Sequence, residues 1–215
     1  MVYPDRAAAG RALGTALEHL RGTHPLVLGL PRGGVPVAAA VAEAIDGQLD
    51  VLLVRKLGLP QHPELAMGAL GENDVLVLND DVLARARVSE AAFAEVERAE
   101  RTELARRRAL LRAGDPVPLT DRTVVIVDDG MATGATVAAA CRVARAQRPA
   151  RLVVAMPVSA PEAARRVRPE CDELICLWMP EDLGGVGGAY HDFHQLTDDE
   201  VLDLLAAPPR AQFSS

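Results

Sequence analysis

Short, unbroken apolar segments are the feature of this sequence that most restricts its fold. Six of them have the length of a strand: PLVLGL (25–30), DVLLVRK (50–56), VLVLN (75–79), TVVIVDD (123–129), RLVVAMPV (151–158) and ELICLW (173–178). A strand with one face in water alternates apolar and polar residues, whereas a strand covered on both faces is apolar throughout. Helical patterns separate most of the segments. The sequence therefore predicts an α/β fold with a doubly wound, mainly parallel sheet of about five strands.

The length of 215 residues suits one domain with a sizeable hydrophobic core, and 49% of the residues are hydrophobic. No linker or internal repeat divides the chain, so we expect one domain over residues 1–215. The net charge is −7. Because a nucleic-acid-binding surface has to neutralise many phosphates, this acidic balance argues against nucleic acid as a partner.

The sequence favours a cytoplasmic protein with no membrane contact. No apolar run approaches the roughly 20 residues of a transmembrane helix. The N-terminal stretch MVYPDRAAAGRALG lacks the apolar centre of a secretion signal. The cysteines are odd in number and have no CxxC spacing, which fits neither a disulfide framework nor a zinc site; they are Cys141, Cys171 and Cys176.

The segment from Ser89 to Arg112 differs from the rest because it is highly charged. Its apolar residues recur at helical spacing, and they include Phe93, Val96, Leu104 and Leu110. With Ser89 as the N-cap, we predict a long, largely exposed helix within a helical insertion at residues 80–114. The cluster Arg106–Arg108 is interpreted as a solvated helix end, with contact to a polyanion as the alternative. The exposed helix is also the predicted surface for a homodimer.

The stretch VVIVDDGMATGAT (124–136) combines two chemistries that normally oppose each other. Gly130 and Gly134 allow the backbone to turn sharply, and the amides that follow lead into a helix N-terminus, which binds phosphate. Asp128 and Asp129 instead suit a vicinal diol such as a ribose, or a hydrated Mg²⁺. A ligand that carries both hydroxyls and a phosphate satisfies both halves. The alternative is that the aspartates only cap the next helix.

Other nucleotide and hydrolase motifs are missing from the sequence. A Walker site needs GxxxxGK[ST], and Lys56, the only lysine, is not in that setting. The glycines after the first apolar segment do not have the GxGxxG spacing of a dinucleotide site. No GxSxG motif is present, which argues against a serine hydrolase.

VVIVDDGMATGAT resembles the phosphoribosyl-diphosphate (PRPP) binding motif of the type I phosphoribosyltransferases. Three further stretches, VLGLPRGGVPVA, DVLLVRKLGLPQHPELAMGA and VGGAYHDFHQLTDDEV, are similar to a little-characterised branch of predicted phosphoribosyltransferases, so that the resemblance covers nearly the whole chain. It implies the type I fold, with the first and fourth apolar segments side by side. It also implies transfer of 5-phosphoribosyl from PRPP, with Mg²⁺ as cofactor.

The resemblance assigns the PRPP contacts residue by residue. Asp128 and Asp129 match the acidic pair that binds the ribose hydroxyls, and they are expected to be catalytic together with Arg55 and Lys56. The 5′-phosphate would be held by Gly130, Met131, Ala132, Thr133, Gly134, Ala135 and Thr136. The diphosphate would be held by Pro31, Arg32, Gly33, Gly34, Arg55 and Lys56. Mg²⁺ would be carried by PRPP without a dedicated protein site, with Asp128 and Asp129 as the candidate protein ligands.

Two further segments complete the implied site. Arg55 and Lys56, followed by Leu57 to Ala66, match the mobile loop that closes over PRPP, although chance placement of the only lysine is an alternative. Residues 178–197 match the hood, which selects the acceptor. Tyr190 and Phe193 are the candidate acceptor-binding rings in the hood, with core packing as the alternative.

The predicted function is therefore Mg²⁺-dependent transfer of 5-phosphoribosyl to a nitrogenous base or related acceptor, with release of diphosphate. Displacement of diphosphate builds positive charge on the ribose and negative charge on the leaving group. Carboxylates suit the first charge, and Arg32, Arg55, Lys56 and Mg²⁺ suit the second. A PRPP- or nucleotide-sensing regulator without turnover is the main alternative, and a sugar-phosphate hydrolase is a third. The sequence does not identify the acceptor.

Overall fold

The computed structural model describes residues 2–63, 65–112 and 114–206, and it is an α/β structure. The helices of these ranges are α1 (Arg6–Ala16), α2 (Gly34–Ala44), α3 (Asp80–Ala86), α4 (Glu90–Leu111), α5 (Ala135–Ala146), α6 (Pro161–Val167) and α7 (Asp198–Ala206). The strands are β1 (Leu26–Gly29), β2 (Gln48–Val51), β3 (Val54–Gly58), β4 (Ala66–Gly71), β5 (Leu76–Leu78), β6 (Thr123–Val127), β7 (Arg151–Val158) and β8 (Glu173–Trp178). Within them, no helix is both long and apolar enough to cross a membrane.

Five strands form the predicted parallel sheet, in the order β2-β1-β6-β7-β8. Alternate residues of the central strands enter two different cores. Leu28 and Ile126 pack with α5 and α6 on one face, whereas Val27 and Val125 pack with α1 and α2 on the other. Burial on both faces explains the continuous apolar segments. The predicted fold class is confirmed.

A second sheet, in which β3, β4 and β5 pair antiparallel, was not expected from the sequence. The prediction of one strand over residues 50–56 was wrong, because β2 ends at Val51 in the main sheet and β3 begins at Val54 in the second. The segment at 75–79 contains β5, which also belongs to the second sheet. The loop predicted over residues 57–66 is shorter than expected, since β3 extends to Gly58 and β4 starts at Ala66.

Helix α5 packs against both sheets, and its approach requires a glycine on β4. A Cβ on Gly71 would collide with Cγ1 of Val143, which is a buried residue of α5. The second sheet therefore packs against α5, and Val54 of β3 packs against the main core. This position brings β3 towards the loops that follow β1 and β6.

Helix α4 begins at Glu90, and the hydroxyl of Ser89 accepts a hydrogen bond from the Ala92 amide at 3.2 Å, as an N-cap does. The helix is largely exposed, as predicted. Of its apolar residues at helical spacing, Phe93, Val96 and Leu104 pack in the core of the second sheet. Leu111 is also buried there, whereas Leu110 is exposed.

Arg112, just after α4, joins the two sheets through buried ion pairs. Its Nη1 donates to both carboxylate oxygens of Asp50 at 3.0 Å, and its Nη2 donates to the Val51 carbonyl at 2.8 Å. Its Nε lies 2.7 Å from Oε1 of Glu72, and both of these side chains are only 6% exposed. Burial raises the pKa of Glu72, and the hydrogen bond and charge of Arg112 oppose that rise. Arg112 thus supplies the nearest positive charge to the carboxylates of both Glu72 and Asp50.

We expect Arg112→Met to lower the free energy of unfolding by about 3–5 kcal/mol, because it removes the nearest cation from the buried Glu72 and the partly buried Asp50. Urea unfolding followed by circular dichroism measures this loss. Arg98→Met, at an exposed position of the same helix, is the matched control and should change stability by under about 0.5 kcal/mol. Equal, small effects of both substitutions would contradict the proposed role of Arg112.

Candidate active site

The loops that follow β1 and β6 lie side by side at the carboxyl edge of the main sheet. The two strands pair in parallel with Gly29 opposite Val127, and the Leu30 amide donates to the Val127 carbonyl at 2.9 Å. The first and fourth apolar segments are therefore neighbours, as the family resemblance implied. Ligands of open α/β sheets bind at such an edge.

Glycines bring these two loops into direct contact. A Cβ on Gly33 would collide with the carboxylate of Asp129, and a Cβ on Gly34 would lie 2.6 Å from the Val127 carbonyl oxygen. The peptide between Pro31 and Arg32 is cis. The loop at residues 30–34 and the acidic pair thus form one continuous surface, which a larger side chain at either glycine would separate.

The two aspartates have different surroundings. Oδ1 of Asp128 accepts a hydrogen bond from the Asp129 amide at 2.9 Å. Burial raises the pKa of Asp128 well above its usual range, and the neighbouring charge of Asp129 raises it further. Burial also raises the pKa of Asp129, but a hydrogen bond from Arg6 and the charge of Arg6 oppose the rise. Asp129 is therefore the acid whose ionised form the protein supports most directly.

Arg6 is a site residue that the sequence analysis missed. Its Nε lies 3.0 Å from Oδ2 of Asp129, and its Nη1 donates to the His194 carbonyl at 3.0 Å. Its guanidinium carbon lies 4.0 Å from the centroid of the Phe193 ring, which is a cation–π distance. Arg6 is the first residue of α1, where a basic side chain opposes the helix dipole. That unfavourable position is the signal in the sequence that could have identified it.

The loop from Gly130 to Thr136 leads into α5 as predicted. Gly134 has a φ of +71°, a left-handed conformation that glycine adopts without strain, and α5 starts at the next residue. The Met131 amide donates to the Val158 carbonyl at 3.0 Å, and the Met131 side chain is part of the core. Ala132, Thr133 and Thr136 are exposed. The surface that this loop offers to an anion therefore lies between Ala132 and Thr136.

A cavity of about 360 Å³ lies between the first loop, β3 and α4. Its lining combines residues predicted to bind phosphate groups with residues of the helical insertion: Leu30, Pro31, Leu52, Leu53, Val54, Arg55, Lys56, Glu100, Arg107 and Thr136. Arg55 is ion-paired through Nε with Oε2 of Glu100 at 2.6 Å. Three cations and one carboxylate belong to this lining, which gives the cavity a net positive wall.

Arg32 and Arg55 are brought to the same edge of the sheet but have different partners. Nη1 of Arg32 lies 3.8 Å from Oδ1 of Asp198, at the start of α7, and the cavity is lined by Pro31 rather than by Arg32. Arg55 and Lys56 lie on β3 instead of in a loop. The sequence did not predict the carboxylates that pair with Arg32 and Arg55.

The hood is fastened to the N-terminal segment. The Tyr3 amide donates to the Ala189 carbonyl, and the His191 amide donates to the Tyr3 carbonyl, both at 2.8 Å. Tyr190 is only 6% exposed, and its hydroxyl donates to the backbone carbonyl of Asp129 at 2.5 Å. Its ring stacks on Phe193 with centroids 5.1 Å apart, and Phe193 is 37% exposed. Tyr190 is therefore buried against the backbone of the acidic pair, whereas Phe193 lies nearer the protein surface.

The candidate metal ligands are few. Among the residues that the structure describes, no group of three or more His, Cys, Asp or Glu side chains is placed to hold a metal ion. Asp128 and Asp129 offer oxygen atoms beside both loops. This donor set fits Mg²⁺, which commonly takes one or two carboxylates from a protein and its other ligands from phosphates and water.

Two comparisons give close relatives of the chain. Two curated Mycobacterium tuberculosis sequences, both named "Putative phosphoribosyl transferase", are 49% identical to it over 205 residues, which is 95% of this chain and 46% of theirs. The chain thus spans about half the length of the curated relatives it matches. The crystal structure of the protein TT1426 from Thermus thermophilus is 42% identical, with a TM-score of 0.89, and the match covers 95% of this chain and 98% of that one.

A family comparison gives the same result. Residues 5–193 match the family described as "Phosphoribosyl transferase domain". The matched range includes α1 with Arg6, the acidic pair, both loops at the sheet edge and most of the hood. The chain therefore belongs to the phosphoribosyl transferase domain family.

Proposed function

We propose that the chain is a Mg²⁺-dependent phosphoribosyltransferase that moves 5-phosphoribosyl from PRPP to a nitrogenous base or related acceptor and releases diphosphate. The observation that supports this proposal most is that three surfaces lie close together at the carboxyl edge of the main sheet: the acidic pair, the loop before α5 and the cavity. Asp128 and Asp129 lie against Gly33 and Gly34 of the first loop. Leu30 and Pro31 of that loop line the cavity together with Arg55 and Lys56, and so does Thr136 of the exposed loop. PRPP carries hydroxyls, a 5′-phosphate and a diphosphate that match these three surfaces.

The residues support direct displacement at C1 of the ribose. The C1–O bond to diphosphate breaks and the bond from C1 to the acceptor nitrogen forms, so positive charge develops on the sugar and negative charge on the leaving group. The Asp128 and Asp129 carboxylates stabilise the first, and Arg55 and Lys56 stabilise the second. Mg²⁺, when bound through PRPP and these carboxylates, neutralises part of the diphosphate charge.

The acceptor side is assigned to the hood. Phe193 is the more exposed ring of the Tyr190–Phe193 stack, and because Arg6 lies over the ring, its exposed edge is the part that would contact the acceptor. The hydroxyl of Tyr190 donates a hydrogen bond to the Asp129 carbonyl and so helps to hold the acidic pair in position. In this proposal both rings belong to the acceptor region, with Phe193 facing the acceptor and Tyr190 holding the acidic pair in place.

Burial of Asp128 carries a cost in stability that a ligand-binding role explains. Because the folded protein raises the pKa of this carboxyl, the native state holds the proton more tightly than the unfolded chain does. Stability from this group is therefore greatest at low pH and falls as pH rises from the unfolded value through the folded value. Above the folded-state pKa the carboxyl is charged while buried, and this form destabilises the fold.

We expect Asp128→Asn to raise the free energy of unfolding at pH 7.5 by about 1 kcal/mol, since an amide retains the acceptor for the Asp129 N–H without the charge. The gain should shrink as pH falls towards about 4, where the wild-type carboxyl is protonated. Chemical unfolding measured across this pH range provides the test. Asp50→Asn should instead destabilise, because Asp50 pairs with Arg112. A pH-independent loss of stability in Asp128→Asn would contradict the charge argument.

Asp129→Asn should weaken PRPP binding about tenfold in the presence of Mg²⁺, because a charged acceptor for the ribose hydroxyls is lost. Titration calorimetry measures the affinity, and circular dichroism checks that the variant is folded. Asp46→Asn makes the same change of charge at the opposite edge of the sheet, before β2, and should leave the affinity unchanged. Equal affinities for wild type and Asp129→Asn would rule out the ribose assignment.

Turnover can be tested by incubating the protein with PRPP, Mg²⁺ and a panel of purines, pyrimidines and their precursors while diphosphate release is measured. We expect release that depends on one class of base. Tight PRPP binding without base-dependent release would instead indicate a PRPP- or nucleotide-sensing regulator. Release of inorganic phosphate would indicate a hydrolase.

A further inference from the structure

Helix α4 presents one continuous face to the second sheet and the cavity. Glu100, Leu104, Arg107 and Leu111 are spaced by four, three and four residues, which places them on the same side of a helix. Leu104 and Leu111 are buried against the core of the second sheet. Their burial fixes the rotation of the helix, and Glu100 and Arg107 consequently line the cavity.

The three consecutive arginines of α4 therefore have different environments. The side chain of Arg106 is 59% exposed and bonds to Glu103. Arg108 pairs with Asp115 at 3.2 Å and approaches Glu72 at 3.8 Å, away from the cavity lining. Arg107 lines the cavity together with Arg55 and Lys56. Solvent exposure of the helix end explains the position of Arg106. It does not explain why Arg107 lines the cavity.

The contact between Arg107 and Glu103 is compatible with ligand binding by Arg107. Nε of Arg107 donates to Oε1 of Glu103 at 3.0 Å, in an i,i+4 pair at the helix surface. Pairs of this kind contribute little to stability. Glu103 also accepts two bonds from Arg106, and these hydrogen bonds lower the pKa of Glu103 to about 2. Glu103 therefore remains a charged anchor that holds the Arg107 guanidinium in place beside the cavity.

We propose that Arg107 is a further binding residue for the diphosphate group, supplied by the helical insertion rather than by either sheet. The inference rests on the proposed function. Diphosphate carries several negative charges, and a guanidinium can donate two parallel hydrogen bonds to phosphate oxygens. Glu100 offsets one of the cations of the cavity through its 2.6 Å contact with Arg55, so a third cation restores the excess of positive charge that a polyanion requires.

The test compares Arg107→Ala with Arg106→Ala, which removes the same charge from the same helix and the same partner, Glu103. Calorimetry gives the affinity of each variant for inorganic diphosphate with Mg²⁺, for PRPP, and for ribose 5-phosphate, which has no diphosphate. Arg107→Ala should weaken diphosphate and PRPP binding by about tenfold or more, because a charge-assisted contact is lost. Its affinity for ribose 5-phosphate should match that of wild type. Arg106→Ala should stay within about twofold for all three ligands.

The outcomes separate this inference from the proposed function. If wild type binds PRPP but Arg107→Ala behaves like Arg106→Ala, the role of Arg107 is overturned and the proposed function is untouched. Equal weakening of ribose 5-phosphate and PRPP binding in Arg107→Ala would also overturn it, because it would indicate a displaced helix. If wild type binds neither PRPP nor diphosphate, the proposed function fails together with the inference.

Discussion

The ion pair between Arg6 and Asp129 is the interaction on which the rest of the site depends. It joins the start of α1 to the end of β6, and Arg6 extends the connection to the hood through the His194 carbonyl and the Phe193 ring. A buried carboxylate without such a partner would take up a proton or destabilise the fold. By opposing the rise that burial causes in the pKa of Asp129, Arg6 favours the charged form of this carboxyl next to Gly33 and beside the two loops proposed to bind phosphate groups.

The main sheet could be predicted because its central strands β1, β6 and β7 are buried on both faces, and strands buried in this way have continuous apolar sequences. The second sheet could not. Its strand β4 has the sequence AMGALG, whose small residues carry no strand signal. Gly71 has to be small because α5 packs closely against it, and Gly68 because a Cβ would lie 2.7 Å from the Val77 carbonyl oxygen; both are tertiary constraints. Likewise, nothing local in residues 50–56 shows that the chain leaves one sheet at Val51 and enters another at Val54.

The loops of the candidate site could be predicted because their chemistry is local: glycines, paired acids and a helix start are adjacent in the sequence. The residues that complete the site come from distant elements. Arg6 and Tyr3 precede the first strand, and Glu100 and Arg107 lie in a helix whose charged composition is typical of a solvated surface. Only the observed rotation of α4, fixed by Leu104 and Leu111, shows which of its charges face the cavity.

The fastening of the hood to the N-terminal segment has a consequence for the order of folding. The Arg6–His194 contact spans 188 positions, and the Arg6–Asp129 contact spans 123. Contacts of such separation form late, because the entropy of closing a long loop has to be overcome first. During synthesis, β6 and its two aspartates therefore leave the ribosome well before the hood that encloses Arg6. For that interval Arg6 can pair with Asp129 but lacks the His194 carbonyl and the Phe193 ring, the hood contacts that help to hold its guanidinium in place.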